Sequence, residues 1–333
     1  MNRFIWLGLI VLLVAGIWTA GWFYAAAAAR TAIASLAEGD GETAPTLSCE
    51  VLEVTGFPFR FDLSCVGATI VDGDLSATIA GLKGSVLVYN PSHAVVSAQA
   101  PVTLADAFTG SESRVDFTGA EASIRLQSPD LWTGLQGKGW RIARASLIAD
   151  GLNWTDTLTG ENLIASAIHL EAHLLDMPER HEPEKGLSAL AAYARLDQVQ
   201  APAFDVAGGE VSLEAELSGL PDDLRALDAP APLRRWRDAG GQLRIVSLKG
   251  EAGEDFVNST GTLALDSAAR LEGQLQLTSK GLVERTGTLV PEDWKGLVLG
   301  APAADGSYSQ TLNLRGGFIF AGLMPVAQLE PLF

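Results

Sequence analysis

The run from Phe4 to Ala29, FIWLGLIVLLVAGIWTAGWFYAAAAA, contains no charged side chain. A helix crosses a bilayer with ~20 apolar residues, and this run is longer than that. An amphipathic core helix would show polar positions on every turn, and this run does not. Trp6 stands near one end, and Trp22 and Tyr24 near the other, where interfacial aromatics belong. One N-terminal membrane helix within residues 1–30 is therefore expected. Arg3 precedes it and Arg30 follows it. A short tail before a long body favours a cytoplasmic N-terminus and an exported body. The alternative is a cleaved signal peptide. The alanine run from Ala25 could satisfy a small-residue cleavage rule, although signal cores usually hold ~7–15 apolar residues. Lipid attachment at Cys49 does not fit, because that cysteine lies far beyond the apolar run.

The composition of the whole chain is that of an ordered protein: apolar residues make up 47% and charged residues 19%. At 333 residues the chain can bury one large core or two ordinary ones. Its net charge is -17, and no acid precedes Glu38. Such a surface repels phosphates, so nucleic acid is excluded as a partner. Electrostatic adhesion to anionic lipid headgroups is disfavoured for the same reason.

From Thr46 onward, short runs alternate apolar and polar residues between Gly, Asp, Asn and Pro, which is the strand signature. DLSATIAGL, AIHLEAHLLD, GEVSLEAELSGLP and RLEGQLQLTSKG are examples. GSVLVYNPSHAVVSAQAP reads as two strands about a turn at Asn90-Pro91-Ser92. Fifteen or so strands with short connections imply antiparallel neighbours. The expected class is mainly β: a long antiparallel meander forming a curved open sheet, a half-barrel or a sandwich. Helices are few. SPDLWTGLQG (128–137), PEDWKGLVLG (291–300) and APLRRWRDAGG (231–241) read as single pieces, the last opened by Pro232 and closed by Gly240-Gly241. The expected organisation is a membrane anchor (1–30), a short stalk (31–45), a β region (46–176), a charged segment (177–186) and a second β region (187–333). MPERHEPEKG, the charged segment, reads as a linker or as a long exposed loop within one sheet. No fixed-period repeat indicates a propeller or solenoid.

Cys49 and Cys65, the only cysteines, bracket CEVLEVTGFPFRFDLSC. A hairpin tip at Gly56, Phe57 and Pro58 suits the turn chemistry of glycine and proline. Centred on Phe57, it sets Cys49 opposite Cys65, Val51 opposite Leu63 and Glu53 opposite Phe61. A cross-strand disulfide is expected, and it persists only in an oxidising compartment; the alternative is two separate, buried, inert cysteines. A redox pair would need closer spacing and a flanking base.

Catalytic motifs are absent. No P-loop, G-x-G-x-x-G, H-E-x-x-H or Gly-x-Ser-x-Gly elbow occurs. HLEAH places His169, Glu171 and His173 at alternate positions, a candidate metal comb on one strand face. An ordinary half-buried strand with Leu170, Ala172 and Leu174 on its other face has the same pattern. His93 has no acid near it in sequence, and His181 could approach the comb only if the charged segment folded back. No cofactor and no enzymatic activity are expected.

The segments VTGFPFRFDLSC, YNPSHAVVSAQAP, RRWRDAGGQLRI, GTLALDSAARLEGQLQL and GGFIFAGLMPVAQLEPLF together resemble an uncharacterised bacterial envelope family, domain of unknown function 2125, found mainly in alphaproteobacteria. The resemblance covers Phe4 to Phe333. It implies a single-pass inner-membrane protein with a periplasmic body, and it brings no catalytic residues. The cadence of the last third and the Gly-Phe-Pro hairpin are also similar to AsmA-like envelope proteins, whose open sheets carry an apolar groove and are associated with lipid transport. These likenesses lead to an expected function. The chain would be a non-enzymatic envelope protein, partnered by the inner membrane and holding lipid or another apolar ligand in a groove. The alternative is a structural or interaction module with a closed core and no ligand; its protein partners are not indicated.

Overall fold

The computed structural model describes residues 3–39, 41, 45–128, 130, 133–134, 136, 139–223, 232–281 and 301–333. Helix α1 spans Arg3–Ser35, 33 residues or about 50 Å at 1.5 Å per residue. A single 3-10 turn, Leu36–Glu38, follows it. The helix therefore extends into the segment read as a stalk. Trp22 and Ala26 are buried, and Ala25, Ala29 and Ile33 are half-buried. Their spacing of three and four residues puts them on one helical stripe, made of alanine between Trp22 and Ile33, and α1 packs along strand β1. The alanine run thus serves as a packing surface, which lets helix and strand approach closely.

Among the described residues, sixteen strands belong to one antiparallel sheet. Backbone contacts divide the chain into two units, Met1–Ser123 and Ile124–Phe333. The first holds β1 (Thr46–Thr55), β2 (Arg60–Asp72), β3 (Leu75–Leu87), β4 (Asn90–Asp106) and β5 (Ser111–Asp116), and β6 (Gly119–Gln127) crosses the boundary. The second holds β7 (Arg141–Asp156), β8 (Asn162–Asp176), β9 (Leu187–Ala201), β10 (Val206–Pro221), β11 (Gln242–Ala252), β12 (Asp255–Leu265), β13 (Leu271–Lys280), β14 (Tyr308–Arg315), β15 (Phe318–Ala321) and β16 (Met324–Gln328). Successive strands pair, except that β6 pairs with β4 and β7 and not with β5, so the meander is as expected.

Helix α2 (Pro232–Asp238) starts at the proline and ends before Gly240-Gly241, as the sequence indicates. The piece at 291–300 lies outside the described residues. Of 128–137, only Ser128, Asp130, Thr133, Gly134 and Gln136 are described, and Thr133 and Gly134 are helical.

The charged segment is a loop, not a boundary. Asp176 pairs with Leu190 across β8 and β9, and the Met177 N–H donates to the Ala189 carbonyl at 3.0 Å. The division between units falls at Ser123/Ile124, not at 177–186. Charge marks solvent exposure, and a hairpin loop is as solvated as a linker.

The first hairpin differs in register. Val51 pairs with Val66, Leu52 with Cys65, Thr55 with Asp62, and Cys49 with Ala68. The tip is therefore Phe57-Pro58-Phe59, closed by the Arg60 N–H to the Gly56 carbonyl at 3.1 Å, and not centred on Phe57. Gly56 sits at φ +102°, and a Cβ there would lie 2.7 Å from the Arg60 carbonyl oxygen. The disulfide still forms, on a diagonal, with the two Cα atoms 5.4 Å apart. Gly67, at φ +60°, lies between Cys65 and Ala68, and the register is the same on either side of it. The next turn also moves: β4 begins at Asn90, opposite Leu87, so the turn is Val88-Tyr89 and not Asn90-Pro91-Ser92. The Val88 N–H donates to the Phe59 carbonyl at 2.9 Å, which carries the β2–β3 register on into this turn.

Candidate functional site

In an antiparallel ladder, directly opposed residues share a face. Registers in the second unit therefore assign its two faces strand by strand. One row runs Leu170, Leu196, Val211 and Gly250 across β8 to β11. The next runs Ala172, Ala194, Leu213 and Leu248. Further along come Leu217, Leu243 and Leu263, and then Leu275 with Leu312. This face is mostly apolar from β8 to β14, with Asp176, Ser259, Ser279 and Gln310 as its polar positions. Its large side chains are mostly half-buried; among the described residues the fully buried positions are mainly alanines such as Ala149 and Ala215, with Leu265 and Leu314. Among the described residues no helix layer or second sheet covers it.

A cavity of about 330 Å³ opens on this face near one end of β9 to β13. Val199, Val206, Val211 and Val257 line it, with Phe204 from the turn after β9. Five successive strands bordering one cavity make the sheet concave there. Lys280 stands at the rim with Glu210, Glu251 and Asp255, and its ammonium pairs with Glu254 at 3.6 Å. The volume lies within the ~300–1,000 Å³ of small-molecule sites.

The opposite face is polar. It carries His169, Glu171 and His173 on β8, as alternation requires, but each is engaged sideways. His169 Nδ1 lies 2.7 Å from Asp150 Oδ1 on β7. His173 Nδ1 lies 2.9 Å from Ser146 Oγ, and its ring stacks on Tyr193. Glu171 Oε2 is 3.6 Å from His173 Nε2. Among the described residues, no three His, Cys, Asp or Glu side chains converge to hold a metal ion. Beside the comb, Arg195 pairs with Asp197 at 2.6 Å and Glu210 at 3.3 Å, bordering a polar cavity of about 210 Å³.

The His169 imidazole is held above its ordinary value of 6.5, chiefly by the Asp150 hydrogen bond. Desolvation opposes this, and attraction from Asp150, Glu171 and Asp197 adds to it. The sign follows from linkage. A raised folded value contributes stability that is complete below 6.5 and fades as pH rises through the higher folded value. An NMR titration should therefore find the His169 midpoint above 6.5, and Asp150→Asn should return it to the ordinary range. An unchanged midpoint in that variant would remove Asp150 as the cause.

Two features were missed in the sequence. His181 does fold back, but onto Asp176 and not the comb. Its Nε2 is 2.6 Å from Asp176 Oδ1, both side chains are largely buried, and Gln127 donates to Asp176 Oδ2 at 2.5 Å. This network pins the charged loop to β8. The second is the turn Asp-x-x-Thr-Gly, which closes both the β4–β5 and β7–β8 hairpins at 106–110 and 156–160. Thr109 and Thr159 donate hydroxyl and backbone hydrogens to Asp106 and Asp156 and hold those carboxyls below the ordinary value.

In the first unit the Gly-Phe-Pro-Phe tip docks on α1. The indole N–H of Trp18 donates to the Pro58 carbonyl and that of Trp22 to the Arg60 carbonyl, each at 3.1 Å. Trp22 stacks on Phe61 with centroids 5.4 Å apart and meets Phe57 edge-on at 5.5 Å. Cys65 and Ala68, further along β2, are almost fully buried.

Compared with known proteins, residues 22–330 match the family described as "Uncharacterized protein conserved in bacteria (DUF2125)". No curated protein and no solved structure matches the chain. The AsmA-like likeness therefore rests on sequence cadence alone.

Proposed function

Since the chain belongs to this family, DUF2125, whose description carries no activity, we propose its role from geometry: a non-catalytic envelope protein that holds lipid or another apolar molecule on the open face of its sheet. The carrying observation is the apolar face of the second unit, uncovered among the described residues and hollowed at Val199, Val211 and Val257. A soluble sheet normally buries such a face against another layer. Here a ligand takes that place.

The membrane-anchored, periplasmic part of this reading rests on two further supports. Helix α1 is long and apolar enough to cross a bilayer. A disulfide between Cys49 and Cys65 belongs to an oxidising compartment. Signal cleavage within the alanine run would remove Trp22 and with it the partner of Phe61, so the helix is read as a retained anchor.

The test is solvent extraction of the full chain, isolated from membranes in detergent-free polymer discs, followed by mass spectrometry. An apolar molecule bound in near-stoichiometric amount is expected. Val211→Trp should fill the cavity and lower that amount at least about tenfold, the effect of ~1.4 kcal/mol, with unfolding temperature kept. A folded protein that yields only bulk disc lipid, unchanged by Val211→Trp, would show a ligand-free structural module instead.

A further inference from the structure

A third cavity, of about 480 Å³, lies within the first unit between α1 and the sheet. Val14, Ile17, Trp18, Gly21 and Trp22 form its helix wall, and Phe61 and Val88 form its sheet wall. Among the described residues no polar side chain lines it except the two indoles, and their N–H groups are already given to Pro58 and Arg60. We infer that this cavity is an acyl-chain site through which a bilayer phospholipid enters the apolar face of the first unit. The inference rests on the reading of α1 as a membrane anchor.

Depth is the first argument. Counting ~20 residues from Phe4, the span ends near Phe23. Trp18 and Trp22 bind the hairpin tip, so the tip sits level with the far edge of the hydrocarbon layer. Val14 and Ile17 lie below that edge. Whatever fills the cavity from the Val14 side must come from the acyl region, where water is scarce.

The exposed aromatics are the second argument. Phe57, Phe59 and Tyr89 occupy the tips of the first two hairpins, and all are exposed. The tips are joined by the Val88 N–H to the Phe59 carbonyl. Aromatic side chains left bare in water are unfavourable, whereas at a membrane interface they are favoured. The acidic body gives no electrostatic hold on headgroups, so recognition falls to the chain.

Continuity is the third argument. Phe61 opposes Val86, which opposes Ala94. Leu63, Gly84 and Val96 form the next row on the same face, and Cys65, Leu82 and Ala98 the one after. The cavity thus opens onto an apolar track leading away from the membrane.

The experiment uses the full chain in phosphatidylcholine vesicles doped with a phosphatidylcholine carrying a diazirine in its acyl chain. After irradiation, adducts are mapped by mass spectrometry. Adducts on Phe61 and Val88 as well as on α1 are expected. Gly21 has open space where a side chain would go. Gly21→Leu should therefore reduce the Phe61 and Val88 adducts at least about fivefold while leaving those near the start of α1 unchanged. Adducts on α1 without any on Phe61 or Val88 would overturn the site and leave the anchor standing. No adducts on α1 would overturn both.

Discussion

Replacing Trp22 by alanine is expected to destabilise the first unit by about 3 kcal/mol, the lower end of what truncating a large buried aromatic costs. The side chain is only 6% exposed, stacks on Phe61 and meets Phe23 and Phe57 edge-on. The lower end applies because lipid around α1 offsets part of the lost apolar burial. Trp22→Phe separates the contributions: it keeps most of the ring packing and loses the hydrogen bond to Arg60, about 1 kcal/mol. Denaturant unfolding of the full chain in mild micelles, followed by the fluorescence of the remaining tryptophans, would measure both. A Trp22→Ala protein as stable as the parent would mean that the helix is a passive tether. The loosened hairpin should also become sensitive to protease at the Phe57-Pro58-Phe59 tip.

The same contact separates what the sequence discloses from what it hides. Strand faces were readable, because alternation is a local property. GEVSLEAELSGLP puts Val211, Leu213, Ala215 and Leu217 on one face without any knowledge of partners, and the structure places them there. HLEAH was likewise readable as a polar row backed by Leu170, Ala172 and Leu174. Register was not. Alternation constrains pairing only by face, and the position of the turn sets the rest. The tip lies at Phe57-Pro58-Phe59 and is not centred on Phe57, and a three-residue displacement from the expected pairing follows along the whole β1–β2 ladder.

Long-range docking was hidden for a different reason. An uncharged helix offers no amphipathic stripe to mark a contact face, so nothing in the apolar run distinguishes Trp22 from Trp6. The Asp176–His181 pair was hidden because two 3-10 turns, Pro178–Arg180 and Pro183–Lys185, fold the loop back on itself. The candidate groove was only half legible: its apolar residues could be named, but whether another layer covered them depended on topology.

Removing the disulfide by Cys49→Ser with Cys65→Ser is expected to destabilise the protein by about 3 kcal/mol. The bond closes a loop with a sequence separation of 16, and chain entropy alone gives that value for a loop of this size. A second effect enlarges the loss. Cys65 is 2% exposed, so a serine there brings a hydroxyl into an apolar row beside Leu82 and Ala98. Cys49→Ala with Cys65→Ala avoids the hydroxyl and isolates the cross-link. Its deficit should stay near the entropic value, and the serine pair should exceed it. Because β1 is both cross-linked to β2 and packed on α1, the deficit should appear as loosening of the whole helix–hairpin contact, with Trp18 and Trp22 fluorescence shifting together. Non-reducing peptide mapping of protein taken from membranes provides the control. Free thiols at Cys49 and Cys65 in that material would place the folded body in a reducing compartment and remove the periplasmic reading.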